Sequence, residues 1–528
     1  MSEAATPAIA WLPKVATGTL AAGVALRAFL VGGDATMAEG LASGLMLLGG
    51  GLVLADRAHK WKLPARGVAY VIPLVFAAHL GTNSLGAWAR AAHLLAMSVA
   101  AFALRDLVVS SGAMSLLRRT LVTGGTMLGV FGIAQTLYLR PAIAEVVLGT
   151  GHPLESSAMA EAFLTAWRAS TVFTSANVFA SFLLITLLPC LLAALLGRHS
   201  RAALAGFGII GLGALASAGS AGSLAALLLG TSWAFALTEG NPARRRVLVV
   251  TASALSIGAL AVVGLAFSGG DLPAKLATLH ERLGYWSTAW RALRLDDLSH
   301  GVAWLTGGGP NSVGPQMIAA SATNVPFSRD PHQSTLSIAL EWGIPFLALL
   351  LWVLWRRLAA ARASCASASG LVSALTIDPT RSPKPLNAMA WGVGLALGTF
   401  LAVLMQPLIS FFPPKLAAPV LVDAMIFTAL GIATWRAVAH LSVMTPAFDR
   451  ALFAGTAALV LHAQLDIHPI IPAILMASIV AFVALPGHGY CPTTRAFGIG
   501  RLFATLLGVS AVLGSLPLVL KIQALVLR

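Results

Sequence analysis

The sequence predicts an all-α fold, a polytopic transmembrane helix bundle of about 12–15 spans, because apolar stretches recur at close to the roughly 20 residues that cross a bilayer core. Three observations carry that expectation. Of 528 residues, 58% are hydrophobic and only 10% are charged, whereas an ordinary soluble domain carries roughly 25% charged residues. The mean hydropathy is +0.85, the opposite of the polar, highly charged composition that keeps a chain disordered. Lys and Arg are shared unevenly between alternate loops, which is the positive-inside bias of membrane proteins. The 51 glycines add small residues that let spanning helices approach closely.

Taken in order, the opening MSEAATPAIAWLPK has no basic region ahead of its apolar run, so it reads as an uncleaved start rather than a removable signal peptide. Candidate spans follow near 13–31, 37–55, 68–80, 87–109, 120–139, 175–196, 202–218, 221–238, 247–267, 335–355, 388–411, 417–437, 451–466, 469–485 and 501–520. With the N-terminus in the cytoplasm, 22 of the 34 Lys and Arg fall on the cytoplasmic side and 11 outside, with Arg27 inside the first span. Five of the 11 lie in one long loop, and long loops cross regardless of charge. The net charge of +15 is thereby explained by topology. The partner it implies is the lipid bilayer, and no nucleic acid is needed.

Cys190, Cys365 and Cys491 form neither a disulfide framework nor a zinc pattern. Two outside segments, 140–174 and 268–334, exceed the roughly 12–15 residues beyond which a structureless loop is usually functional or disordered. The second holds five basic and five acidic residues, and is expected to be helical and to carry the active site. The cytoplasmic stretch 356–387, with its ASCASASG and DPTRSPKP runs, reads as a flexible linker. Nothing divides 1–528 into soluble domains.

Chemistry-bearing residues gather near the outside ends of the spans. In Arg282-Leu-Gly-Tyr285-Trp286-Ser-Thr-Ala-Trp290-Arg291, the residues Trp286, Trp290 and Leu293 recur at helical spacing, and Trp and Tyr favour the membrane–water boundary. A helix over 278–295 lying at the outer interface follows. Arg282 and Arg291 can grip a phosphate at two points, or only touch lipid headgroups. Thr306-Gly-Gly-Gly309-Pro-Asn311-Ser offers backbone N–H groups to a phosphate, or is a plain tight turn. No Lys-Ser/Thr follows it, so it is not a Walker loop.

His332, in Asp330-Pro331-His332-Gln333, titrates near neutrality and is the candidate proton acceptor; the bland alternative is a polar surface residue. Glu341 lies roughly 13 Å further along a helix. A carboxylate at a span is expensive and by default functional. Arg168 and Asn177 sit where segment 140–174 meets a span. By themselves they read as a snorkelling arginine and a buried asparagine bonding another helix. His462 and Asp466 share a helix face, but lack further ligands at metal spacing, so no metal is assigned. Asp296-Asp297 is an isolated acidic pair, and neither HExxH nor GxSxG occurs.

Four stretches, in order, carry a family resemblance: RASTVFTSANVFASFLL at 168–184, RLGYWSTAWRAL with TGGGPNSV within 282–313, PHQSTLSIALEWG at 331–343, and LVLHAQLDIHPIIPA at 459–473. Together they resemble the O-antigen ligase-like family of membrane glycan-transfer proteins, which includes O-antigen ligases, O-antigen polymerases and protein O-oligosaccharyltransferases. The family patterns are an Arg before an Asn-x-x-Ala helix start, an Arg-to-Trp interfacial helix with a Gly-rich turn, a His-Asn pair before Glu-x-Gly, and a late His/Asp stretch. Two positions depart. Gln333 stands where the family has Asn, and Ser220-Ala221-Gly222 stands where it often has Ser-Arg-Gly.

The resemblance implies a glycosyltransferase in the bacterial inner membrane with its site facing the periplasm. Its donor would be an undecaprenyl-diphosphate-linked glycan, and its acceptor a hydroxyl of a glycolipid, glycan or protein. Charge would develop on the diphosphate, where preorganised arginines can stabilise it in place of a metal. Arg168, Arg282 and Arg291 are the expected diphosphate ligands, His332 the general base, and Asn177, Glu341 and Asp466 the supporting residues. No cofactor and no metal are expected. A polysaccharide polymerase is the alternative within the family, and a non-enzymatic lipid or glycan transporter the alternative outside it. The related halves common in transporters are not visible in the sequence.

Overall fold

A computed structural model of the protein describes residues 12–29, 36–55, 84–111, 113–139, 175–196, 201–267, 277–293, 304, 307–309, 312–321, 331–366, 388–409, 417–441, 443–464 and 472–487. Among these residues all regular structure is helical and no strand occurs. The helices are α1 (Leu12–Phe29), α2 (Thr36–Ala55), α3 (Ser84–Ser111), α4 (Met114–Ala134), α5 (Ala176–Thr186), α6 (Leu188–Leu196), α7 (Arg201–Ala218) and α8 (Ala221–Thr238). They continue with α9 (Pro242–Phe267), α10 (Ala277–Ala292), α11 (Val313–Ala320), α12 (Ser334–Ala366), α13 (Ala388–Ile409), α14 (Ala417–Ala439), α15 (Pro446–His462) and α16 (Pro472–Ala484).

Each expected span except 68–80 and 501–520 coincides with a described helix; those two, like segment 140–174, lie outside the described residues. Among the described residues, five stretches are long and apolar enough to cross a membrane: Met114–Tyr138, Ala176–Leu196, Arg201–Ala218, Ala221–Thr238 and Ser334–Ala366. Burial follows the logic of a lipid solvent. Leu195, Val250, Ile257 and Trp355 are each more than 65% exposed, while Arg118, Asp449, Glu341 and His462 are buried. Large apolar surfaces of this kind are rare on a soluble monomer, and polar groups inside a bilayer protein face the bundle interior.

Local sequence sets the helix boundaries. Ser175, Ser220 and Thr445 cap α5, α8 and α15 by accepting the backbone N–H of Val178, Ser223 and Phe448. Pro446 opens α15, where its missing N–H costs nothing. Gly394 and Gly398, four residues apart, let α13 lie against α1. A Cβ at either would come within 2.3 Å of the carbonyl oxygen of Gly18 or Ala22, so only glycine permits this approach.

The bundle has two polar ends. At one, the C-terminus of α16 exposes carbonyls that no further helical turn can satisfy. Arg118 of α4 donates to Ala484 O (3.1 Å) and Val443 O (2.8 Å) and pairs with Asp449. Arg357 of α12 donates to Phe482 O (3.0 Å), Pro486 O (2.7 Å) and Leu485 O. Arg450 reaches Cys365 O at 3.3 Å. These arginines all belong to stretches that the sequence reading expects on one and the same side of the membrane.

Helix α12 continues to Ala366, so the first eleven residues of the stretch expected as a linker are helical. Alanine-rich sequence favours the helix, and Arg357 fastens it to α16. The other end of the bundle carries a smaller apolar cluster of Ala289, Leu293, Val313, Met317, Ala339 and Leu340. It joins α10, α11 and the start of α12 into one layer.

Candidate functional site

The site is built around a break in α12. Gly343 has φ +80° and ψ 165°, a region open essentially to glycine alone. Two residues on, Pro345 has no N–H to give to Glu341 O. The glycine turn repairs the break. Gly308 N donates to Leu340 O (2.8 Å), Gly309 N donates to Glu341 O (3.0 Å), and Gln316 Nε2 adds a bond to Leu340 O at 3.1 Å. The turn N–H groups at Gly308 and Gly309 are therefore spent on the protein's own carbonyls, which decides between the two readings of that motif in favour of structure. Glu341 lies buried beneath it, facing protein.

The segment before the break carries His332. Ser334 N donates to Ala463 O (3.0 Å) and Thr335 Oγ1 to Gln464 Oε1 (3.0 Å), so the start of α12 is fastened to the end of α15. His332 has φ +50°, the one positive φ among the described non-glycine residues. A left-handed conformation at such a residue costs of order 1 kcal/mol and persists where the surroundings hold it. The Tyr285 ring of α10 lies against the imidazole, with centroids 5.7 Å apart.

One turn before Tyr285, half-buried Arg282 acts electrostatically on His462 at the end of α15. His462 is fully buried between three helices. Its Nδ1 lies 2.7 Å from Ser181 Oγ of α5, and its Nε2 3.0 Å from Ser223 Oγ of α8. Ser223 Oγ in turn donates to Ser220 Oγ at 3.0 Å, and Ser181 Oγ to Asn177 O at 2.8 Å. A neutral imidazole carries one N–H and each hydroxyl one O–H, so one serine accepts from the ring, and the other can donate to it only by giving up its bond to Ser220 Oγ or Asn177 O. Both nitrogens are occupied, which leaves neither for the metal pairing that the His462/Asp466 spacing raised.

Arg282, Tyr285, His332 and His462 thus come to one end of the bundle, from segments up to 180 residues apart in the chain. Asn177 stands at the start of α5 and supports Ser181 through its carbonyl. Arg291 does not join them. Nine residues past Arg282 it falls on the opposite face of α10, is exposed, and donates to Thr288 Oγ1 of its own helix at 3.1 Å. The expected Trp286/Trp290/Leu293 face also divides, because Leu293 is buried and Trp290 is 61% exposed.

Arg168, Asp466, Asp296 and Asp297 lie outside the described residues. The serines around His462 escaped the sequence reading. The available signal was Ser181 one turn after Asn177, and two hydroxyls three apart at the start of α8. No family model, curated protein or solved structure matches the chain.

Proposed function

We propose that the protein is a membrane glycan transferase of the O-antigen ligase-like type. It moves a glycan from an undecaprenyl-diphosphate carrier to an acceptor hydroxyl on the periplasmic face of the bacterial inner membrane. The end of the bundle fastened by Arg118, Arg357 and Arg450 is cytoplasmic in this reading, and the His332 end is periplasmic. The observation that carries it is that α10 brings Arg282, one turn before Tyr285, to the end of the bundle where the Tyr285 ring lies against the strained His332. A diphosphate leaving group needs the guanidinium and an acceptor hydroxyl needs the histidine.

In the transfer, His332 takes the acceptor proton as the acceptor oxygen attacks the anomeric carbon. The bond from that carbon to the diphosphate breaks, and undecaprenyl diphosphate departs with charge stabilised by Arg282. Gly222, in the Ser-Ala-Gly stretch where the family often carries an arginine, packs near the His462 ring. Arg168 is the further candidate ligand for the diphosphate.

A deletion strain tests the reading. Loss of all surface-attached glycan, restored by the intact gene but not by Arg282→Ala, is the outcome expected for a ligase. A pattern of single-unit glycan assigns the polymerase reaction instead. An unchanged glycan profile contradicts both.

A further inference from the structure

At the opposite end from His332, helices α4, α13 and α14 leave between them a cleft of about 290 Å³. Its rim is made by Thr120, Ala388, Met389, Trp435 and Arg436, and its floor by Met127, Leu395, Thr399, Thr428 and Gly431. On α4 the lining runs from Thr120 to Met127 and on α13 from Ala388 to Thr399, so the cleft extends roughly 10–16 Å along the helices. Met389, Val393 and Ile432 line it and are 79%, 59% and 43% exposed, so it opens sideways, toward the surroundings of the bundle. Most of its threonines are polar in name only. Thr120, Thr399 and Thr428 each give their hydroxyl to a carbonyl of their own helix.

Thr123 is different. It lines the cleft, is 7% exposed, and its Oγ1 is buried with no hydrogen-bond partner. A buried hydroxyl left unmade costs free energy that a ligand acceptor would recover. Thr123 lies four residues, roughly 6 Å, deeper than Arg119, and Arg119 Nε is likewise buried without a partner. Arg436 stands exposed at the same rim beside Trp435, the pairing of cation and indole that marks a lipid headgroup level.

We infer that this cleft holds one chain of an anionic, ester-linked glycerophospholipid. The phosphate sits at Arg436 and Arg119, the ester carbonyl accepts from Thr123 Oγ1, and the acyl chain fills the apolar floor. The spacing is what selects an ester lipid. Arg436 stands at the rim, Arg119 precedes Thr123 by one turn of α4, Thr123 offers the one unspent threonine hydroxyl of the lining, and apolar surface continues beyond it. An isoprenyl phosphate offers no carbonyl at that depth.

The test measures binding of defined lipids to delipidated full-length protein, read by native mass spectrometry and by thermal shift. Ester-linked phosphatidylglycerol is expected to bind roughly two- to tenfold more tightly than its ether-linked analogue, the range of one recovered hydrogen bond. Thr123→Val keeps the shape, removes a hydroxyl that bonds nothing in the protein, and should erase that preference without lowering the stability of the lipid-free protein. Arg436→Gln should weaken phosphatidylglycerol while leaving phosphatidylcholine unchanged. Equal binding of ester and ether lipids to the wild-type protein, an ester preference that survives in Thr123→Val, or tighter binding of undecaprenyl phosphate would each overturn the inference.

Discussion

Replacing Arg118 by methionine removes one of the three arginines that fasten one end of the bundle. The guanidinium is buried, pairs with Asp449, and satisfies the carbonyls of Ala484 and Val443. Its plane also lies over the Phe448 ring, 5.7 Å from the centroid. Without it the Asp449 carboxylate stays buried and unpaired, which costs about 3–5 kcal/mol. Asp449→Leu leaves the guanidinium buried and without its counter-charge, for a loss of about the same size. In the double variant no uncompensated charge remains. Its loss reduces to the two orphaned carbonyls, about 1–3 kcal/mol each. Arg118→Met bears the same two orphaned carbonyls, so they cancel in the comparison, and the double variant should be more stable than the sum of the single losses by about 2 kcal/mol or more. Reversible unfolding in mixed micelles of rising denaturing-detergent fraction measures all three. A loss below about 1 kcal/mol in Arg118→Met, or strict additivity of the two substitutions, would refute the buried pair as a structural fastener.

Three further outcomes follow from the site. Gly307→Ala should prevent the turn from docking, because its φ is +70° and a Cβ would stand 2.3 Å from the Glu341 carbonyl group, a backbone neighbour that cannot yield; limited proteolysis within 294–330 should accelerate. His332→Gly should raise stability by about 1 kcal/mol by relieving the left-handed strain while lowering kcat more than donor affinity; a less stable variant would show that the strain is not there. Transfer by the purified protein should survive EDTA, since arginine is assigned the phosphate work; loss on chelation with recovery in Mg²⁺ would reassign it to a metal.

Legibility in the sequence differed between fold and site. The apolar runs marked helices such as Leu12–Phe29 and Ala221–Thr238 nearly to the residue, because span length is dictated by bilayer thickness rather than by partners. The charge distribution also placed Arg118, Arg357 and Arg450 on one side, and they meet at one end of the bundle. Arg282 and His332 were visible as chemistry. The serines that hold His462 were not, since a hydroxyl in an apolar helix gives no sign of which helix it faces. The role of the glycine turn was hidden for a similar reason. It answers the missing N–H of Pro345, in a helix that begins after a long connecting segment, and only the folded chain puts the two together. Arg291 stands apart from Arg282 because proximity in sequence says nothing of the face each occupies, and nine residues turn a helix by half a revolution.

The most direct measurement is transfer in vitro by the purified full-length protein, supplied with an undecaprenyl-diphosphate glycan and a hydroxyl acceptor, comparing wild type with Arg282→Lys and Arg282→Ala. The proposed transfer requires product from the wild type. It also requires a loss of orders of magnitude in both variants, because an ammonium does not reproduce the planar two-point grip on a diphosphate. Undiminished product from Arg282→Ala, or no product from the wild type with donor and acceptor both present, would contradict it.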